Sequence, residues 1–137
     1  MKRPVLAFVA GLITWVIVVS LIDRVLRLSL AGYAAAEPTF AFTLGMMAAR
    51  LGMATVTSLV AGVAVAAIAP ASKRTPWVLG IVLLAVFIPI HVSLWHAFPV
   101  WYHLTFLVPL APLVALGAWL TPRKPTEGEP LRAVTSP

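Results

Sequence analysis

Three histidines lie close together in the second half of the chain, and they are the residues best suited to hold a cofactor. A b-type haem needs two imidazoles from different helices at similar depth, which His91 and His103 roughly provide. Neutral imidazole also binds transition metals, so His91, His96 and His103 give a metal site as a second hypothesis. The ordinary interpretation is hydrogen bonding to water, lipid headgroups or a free carbonyl, with proton handling as a further alternative. We expect the ordinary interpretation and no cofactor, with haem b as the alternative.

Asp23 and Arg50 are a second pair of residues with chemical potential. Each lies next to strongly apolar sequence, where an unpaired charge is costly. An ion pair between them would lower the cost of both, and Glu37 is the competing partner for Arg50. The sequence therefore predicts an Asp23–Arg50 ion pair. Asp23 lies too near the end of its apolar segment to serve as the carboxylate of a small cationic-drug exporter.

Small side chains recur at every fourth position in the second apolar segment, at Ala54, Ser58, Gly62 and Ala66. On a helix this spacing forms one stripe, against which another backbone can pack closely. The stripe faces either a helix of the same chain or a second protein molecule. In the first segment, Ala7 and Gly11 are a plausible facing pair.

Three prolines fall inside apolar segments, at Pro89, Pro109 and Pro112. Each removes an amide donor and frees a carbonyl one turn earlier, so each predicts a helix kink. Broken helices form ion and substrate sites in transporters, although proline is common in membrane helices generally. We expect kinks alone, with a small transporter or channel as the alternative.

Several classes of function are excluded by what the sequence lacks. Without cysteine there are no disulfides, thiolate metal sites or cysteine nucleophiles. There is also no glycine-rich phosphate loop, no Gly-x-Ser-x-Gly and no His-Glu-x-x-His, so we expect no enzymatic activity. The net charge of +6 comes from short basic clusters at the ends of apolar segments, which favours lipid headgroups over nucleic acid as the partner.

The elements that position these residues follow from the apolar composition. With 61% hydrophobic and 10% charged residues and a mean hydropathy of +1.01, a chain of 137 residues cannot bury its apolar side chains in a soluble core. The predicted fold is all-α, an integral membrane four-helix bundle. Its predicted parts are spans at about 5–22, 40–69, 77–96 and 100–120, an interfacial loop at 23–38 and a disordered cytoplasmic tail at 121–137.

The second span is longer than one upright crossing requires, and Arg50 interrupts it. In one layout, Leu51–Ala69 spans the bilayer, Phe40–Ala49 is an interfacial or re-entrant approach and Arg50 lies at the water boundary. In the other, a single long tilted helix carries Arg50 inside the membrane, where a central charge costs about 2.5–3.5 kcal/mol unless it is paired or hydrated. We expect the first layout.

The basic residues predict the orientation in the membrane. With four crossings, Arg24 and Arg27 fall on one side, with Arg50 unassigned. On the other side fall Lys2, Arg3, Lys73, Arg74, Arg123, Lys124 and Arg132. Both termini are therefore predicted to be cytoplasmic. The aromatic residues agree, with Trp77 and Trp119 at the cytoplasmic boundary and Trp95, Trp101 and Tyr102 at the far one.

The last span has a characteristic pattern, running from Phe98-Pro99-Val100-Trp101-Tyr102 to Gly117-Ala118-Trp119-Leu120. In this pattern, and in the acidic Asp23 that closes the first span, the chain resembles small four-span bacterial inner-membrane proteins of uncharacterised function. It departs from them in its longer second apolar region with Arg50. The resemblance implies a multi-pass protein of the bacterial inner membrane and implies no activity.

These observations favour a non-enzymatic integral membrane protein that acts through helix–helix association. It would work as a homo-oligomer or as an accessory subunit of a membrane complex, through the small-residue stripe. A haem b carrier with histidine ligands and a small transporter or channel are the alternative functions.

Overall fold

The computed structural model describes residues 2–122, and all of their regular structure is helical. The elements in chain order are α1 (Lys2–Ser29), α2 (Tyr33–Ala36), α3 (Leu44–Ile68), α4 (Arg74–Ser93) and α5 (Val100–Leu120). By length and composition, α1, α3, α4 and α5 are each able to cross a membrane, which indicates a multi-pass membrane protein. The predicted all-α class and the four long apolar helices are confirmed. Most of the predicted tail, residues 123–137, lies outside the described residues.

The four long helices alternate in direction along the chain. α3 packs between α1 and α5, and α4 packs mainly against α5, whereas α1 and α4 are in lighter contact. Trp15 on α1 donates a hydrogen bond to Ser58 on α3, and Gly80 on α4 lies against Ala111 on α5. Because direction alternates, the start of α1, the α3–α4 turn and the end of α5 lie at one end of the bundle.

The core consists of small and branched apolar side chains from all four helices. Ala61, Val65, Leu79 and Val114 are fully buried, and Leu110 is almost fully buried. By contrast, large apolar side chains are exposed on the outer face of every long helix; Leu28 and Trp119 are each 74% exposed. An apolar exterior around a tightly packed interior suits a bundle surrounded by lipid.

The first helix is longer than predicted, because α1 continues beyond residue 22 to Ser29. The segment after Asp23 contains no glycine or proline before Gly32, and Asp23 and Arg27 form an ion pair one helical turn apart. The predicted interfacial loop at 23–38 is therefore partly helix. Gly32, with φ of 80°, then reverses the chain into the short α2, in a conformation that favours glycine.

The second apolar segment forms one continuous helix from Leu44 to Ile68 that includes Arg50. Thr43 caps this helix by accepting a hydrogen bond from the Met46 amide, so the helix begins six residues before Arg50. The expectation that 40–49 is separate from the span was wrong for residues 44–49, because these residues follow a good cap and all but Gly45 favour a helix. A single helix that runs through Arg50 is what the second layout predicts.

The prolines do not end the helices that contain them. α4 continues through Pro89, and α5 continues through both Pro109 and Pro112. The predicted kinks at these positions stay a prediction. α5 begins and ends at the predicted residues, whereas α4 begins at Arg74 and ends at Ser93, three residues earlier than predicted at each end.

Candidate functional site

Charged and tyrosine side chains from four helices meet at the end of the bundle opposite the start of α1. The site is built by the end of α1, by α2, by the first two turns of α3 and by the first turn of α5. Arg50 lies six residues into α3, which is about 9 Å along the helix axis. The guanidinium is thus inside the bundle but near one end of it.

Arg50 is held by two phenol groups and an aromatic ring. Its Nε donates a hydrogen bond of 3.2 Å to the Tyr102 hydroxyl, and its Nη1 donates one of 2.9 Å to the Tyr33 hydroxyl. The guanidinium carbon lies 4.7 Å from the centre of the Phe42 ring, within the range of a cation–π interaction. Three groups from separate segments therefore fix the position of this charge.

The predicted Asp23–Arg50 ion pair is not formed directly. Asp23 instead accepts from Arg27 at 2.7 Å and from the Tyr33 hydroxyl at 3.3 Å. Glu37, the competing partner, also pairs with Arg27, at 3.0 Å. Tyr33 therefore bridges Asp23 and Arg50, because Arg27 lies one turn after Asp23 and reaches its carboxylate first.

Tyr33 is the central residue of this network, and its side chain is fully buried. Burial raises the pKa of the Tyr33 phenol above its ordinary value, although the neighbouring Arg50 charge opposes this shift. The phenol therefore keeps its proton at neutral pH, donates to Asp23 and accepts from Arg50. It relays the interaction between the two charges without adding a negative charge of its own.

Aromatic rings from the loop before α3 and from the start of α5 pack together next to Arg50. Phe42 stacks on Phe98, and Phe98 stacks on Tyr102 with ring centres 4.8 Å apart. Phe40 meets Phe98 edge-on and has a left-handed backbone with φ of 56°, which is uncommon for a residue other than glycine. Phe42, Phe98 and Tyr102 thus form one stack of rings beside the Arg50 guanidinium.

His91 and His103 do meet, as the sequence predicted from their positions on neighbouring helices. Both are buried, at 7% and 0% exposure, and their Nδ1 atoms lie 2.8 Å apart. One imidazole must donate and the other accept, so a neutral pair has two different tautomers. His96 is exposed in the α4–α5 turn and does not join them.

This arrangement does not fit a haem between the two imidazoles. Axial ligands on opposite faces of a metal lie about 4 Å apart, whereas these nitrogens are in direct hydrogen-bond contact. Phe106, Trp95 and Tyr102 also pack closely on the two rings. Among residues 2–122, no three histidine, aspartate or glutamate side chains group as a metal site.

The small-residue stripe is buried within the chain. Ala54, Ser58, Gly62 and Ala66 are all buried, and Gly62 lies directly against the α5 backbone at Val114 and Ala118. Ala7 and Gly11 on α1 are buried too, and Gly11 packs against α3 and α4 through Ala61 and Leu79. The stripe therefore packs against helices of the same chain, which was the first of the two alternatives, and it does not offer a surface to a second molecule.

Tyr33 and Tyr102 are the site residues that the sequence did not single out. Tyr102 was assigned to a boundary belt, and Tyr33 to an interfacial loop. The available signal was the long side chain of Arg50 in an apolar segment, since a cation there needs oxygen partners. Tyrosine at the ends of neighbouring segments provides such partners.

In comparisons with known proteins, no protein-family model, no curated protein and no solved structure matches this chain.

Proposed function

We propose that this chain is a non-enzymatic multi-pass protein of the bacterial inner membrane that binds a small anion at Arg50. A bound anion suits a small transporter or channel better than a protein that acts through helix association alone. The observation that carries the proposal is the set of contacts around Arg50, a cation inside the bundle whose hydrogen-bond partners are tyrosine hydroxyls and not carboxylates.

The guanidinium has donors left for a ligand. Arginine has five N–H donors, and Arg50 uses one on Nε and one on Nη1. Its Nη2 has no hydrogen-bond partner among residues 2–122. Planar paired N–H groups match the oxygens of a carboxylate or phosphate, and such charge-assisted bonds are the strong class of hydrogen bond.

The charge balance also supports an anionic ligand. The charged residues at this end are Asp23 and Glu37 against Arg24, Arg27 and Arg50, which leaves one positive charge in excess. Both carboxylates contact Arg27. A bound anion would complete the balance at Arg50, where low-dielectric surroundings make direct pairing most valuable.

The test is stabilisation of the purified protein by inorganic phosphate in neutral maltoside detergent. A ligand that binds only the folded state at about a hundredfold above its Kd adds about 2.7 kcal/mol of stability. We expect phosphate to raise the melting temperature of the wild type above that in chloride of equal ionic strength. Arg50→Gln should abolish this increase.

Arg24→Gln is the matched control, because Arg24 is an exposed arginine at the same end of the bundle. It should keep the phosphate response, apart from a weak and salt-sensitive loss. If phosphate gives no stabilisation, or if the two variants lose it equally, the proposed function is wrong.

Helix–helix association, as a homo-oligomer or with a partner subunit, stays a prediction, but it would need a surface other than the Ala54–Ala66 stripe. The orientation with both termini cytoplasmic is part of the proposal. It is supported by Lys2, Arg3, Lys73 and Arg74 at one end of the bundle. The Arg50 site then faces the non-cytoplasmic side.

A further inference from the structure

A cleft runs from the Arg50 site along the side of the bundle, between α1 and the α4–α5 pair. It has a volume of about 280 Å³, and its polar end is formed by Arg50, Asp23 and Ser20. The remainder is lined by apolar groups that include Trp15, Phe87 and Phe106. The cleft exists because α1 packs closely on α3 but only lightly on α4.

We propose that this cleft binds an anionic amphiphile, with an oxyanion head at Arg50 and an alkyl chain along α1 towards Trp15. This rests on the proposed function, since it names the class of anion that Arg50 binds. The distance suits a chain of lipid type, because Asp23 and Trp15 are eight residues apart on one helix, about 12 Å.

The two ends of the cleft favour different parts of such a molecule. At the polar end, Arg50 keeps free N–H donors, and the Asp23 carboxylate is already paired with Arg27, which limits its repulsion of an anion. At the apolar end, the Phe87 ring lies 5.2 Å from Trp15 and 5.0 Å from Phe106, forming a continuous aromatic wall. A free inorganic anion would leave this wall without a ligand.

The position near one end of the helices suits a head that remains near a bilayer boundary. Arg50 and Asp23 each lie within about two helical turns of an end of their helix. The α1 side of the cleft carries exposed residues such as Ser20, so the cleft opens sideways. An amphiphile would therefore enter from the lipid rather than from water.

The experiment compares three probes on the purified full-length protein in maltoside: 11-bromoundecyl phosphate, 11-bromoundecanol and inorganic phosphate. Bromine quenches tryptophan on contact, and Trp15→Phe identifies the part of the quenching due to Trp15. We expect the bromoalkyl phosphate to quench Trp15 and to bind at least about tenfold more tightly than inorganic phosphate, since each buried methylene adds affinity. Arg50→Gln should remove both effects.

Val19→Phe provides a second variant that leaves Arg50, Asp23 and Ser20 in place, because Val19 lines the cleft between Asp23 and Trp15, four residues from each. Its ring should fill the cleft, so it should lose the Trp15 quenching while phosphate still stabilises the protein. If inorganic phosphate binds as tightly as the bromoalkyl phosphate, the cleft does not bind an alkyl chain, and only the anion site at Arg50 stands. If 11-bromoundecanol quenches Trp15 equally, Arg50 does not hold the head and the inference is wrong. If neither phosphate binds, both proposals fail.

Discussion

Leucine at Gly62 is expected to abolish the folded bundle, whereas leucine at Gly52 is expected to leave it intact. A Cβ on Gly62 would overlap the Val114 carbonyl oxygen and come within 2.8 Å of the Ala118 amide nitrogen, both backbone atoms. Backbone cannot move aside as a side chain does, so α3 and α5 would have to separate. Overpacking usually costs about 1–3 kcal/mol, and we expect more than that here.

Gly52 is the matched control, because it lies on the same helix with nothing within 4 Å of a Cβ. Replacing a helical glycine there should stabilise the helix by up to about 1 kcal/mol. Thermal unfolding followed by circular dichroism in detergent compares the two variants. Similar melting curves for Gly62→Leu and the wild type would mean that α3 and α5 do not pack as described.

The second large effect is a cysteine-labelling pattern that reports the orientation in the membrane. The chain has no native cysteine, so a label attaches only at an introduced one. Ala71 lies in the α3–α4 turn and Ala97 in the α4–α5 turn, and both are exposed at opposite ends of the bundle. In intact cells with a permeable outer membrane, a membrane-impermeant maleimide should label Ala97→Cys. It should label Ala71→Cys only after the inner membrane is opened.

We expect this labelling pattern because Lys73 and Arg74 lie beside Ala71, and loops rich in lysine and arginine stay on the cytoplasmic side. Each variant is the control for the other, since the same substitution is made in a turn of similar exposure. The reverse labelling pattern would place the Arg50 site on the cytoplasmic side and contradict the proposed orientation.

Features that depend on local pattern were predictable from the sequence. The apolar runs gave the four long helices, and the spacing of small residues gave the buried face of α3. The partner of that face was not predictable. Gly62 faces α5, whereas Gly11 meets α3 and α4, and both facts depend on how four similar apolar helices arrange themselves.

The site was predictable only in part, because its geometry depends on segments without periodic pattern. Asp23 and Arg50 were identified as charges needing partners, and they do share one network. The bridging position of Tyr33 follows from the left-handed turn at Gly32, which the sequence does not specify. In the same way, His91 and His103 were placed near each other, but their direct contact depends on how α4 packs on α5.

The central claim is that Arg50 binds an oxyanion, and solid-state NMR can measure this contact directly. The sample is frozen protein with its arginines ¹³C-labelled at the guanidinium carbon, saturated with dodecyl phosphate in phosphorus-free maltoside. Rotational-echo double resonance then measures ¹³C–³¹P distances. The account predicts one arginine carbon about 4 Å from phosphorus, since charge-assisted N–H···O bonds are about 2.8 Å long. This contact should vanish in Arg50→Gln and persist in Arg24→Gln. Equal dephasing in the wild type and Arg50→Gln would contradict the claim.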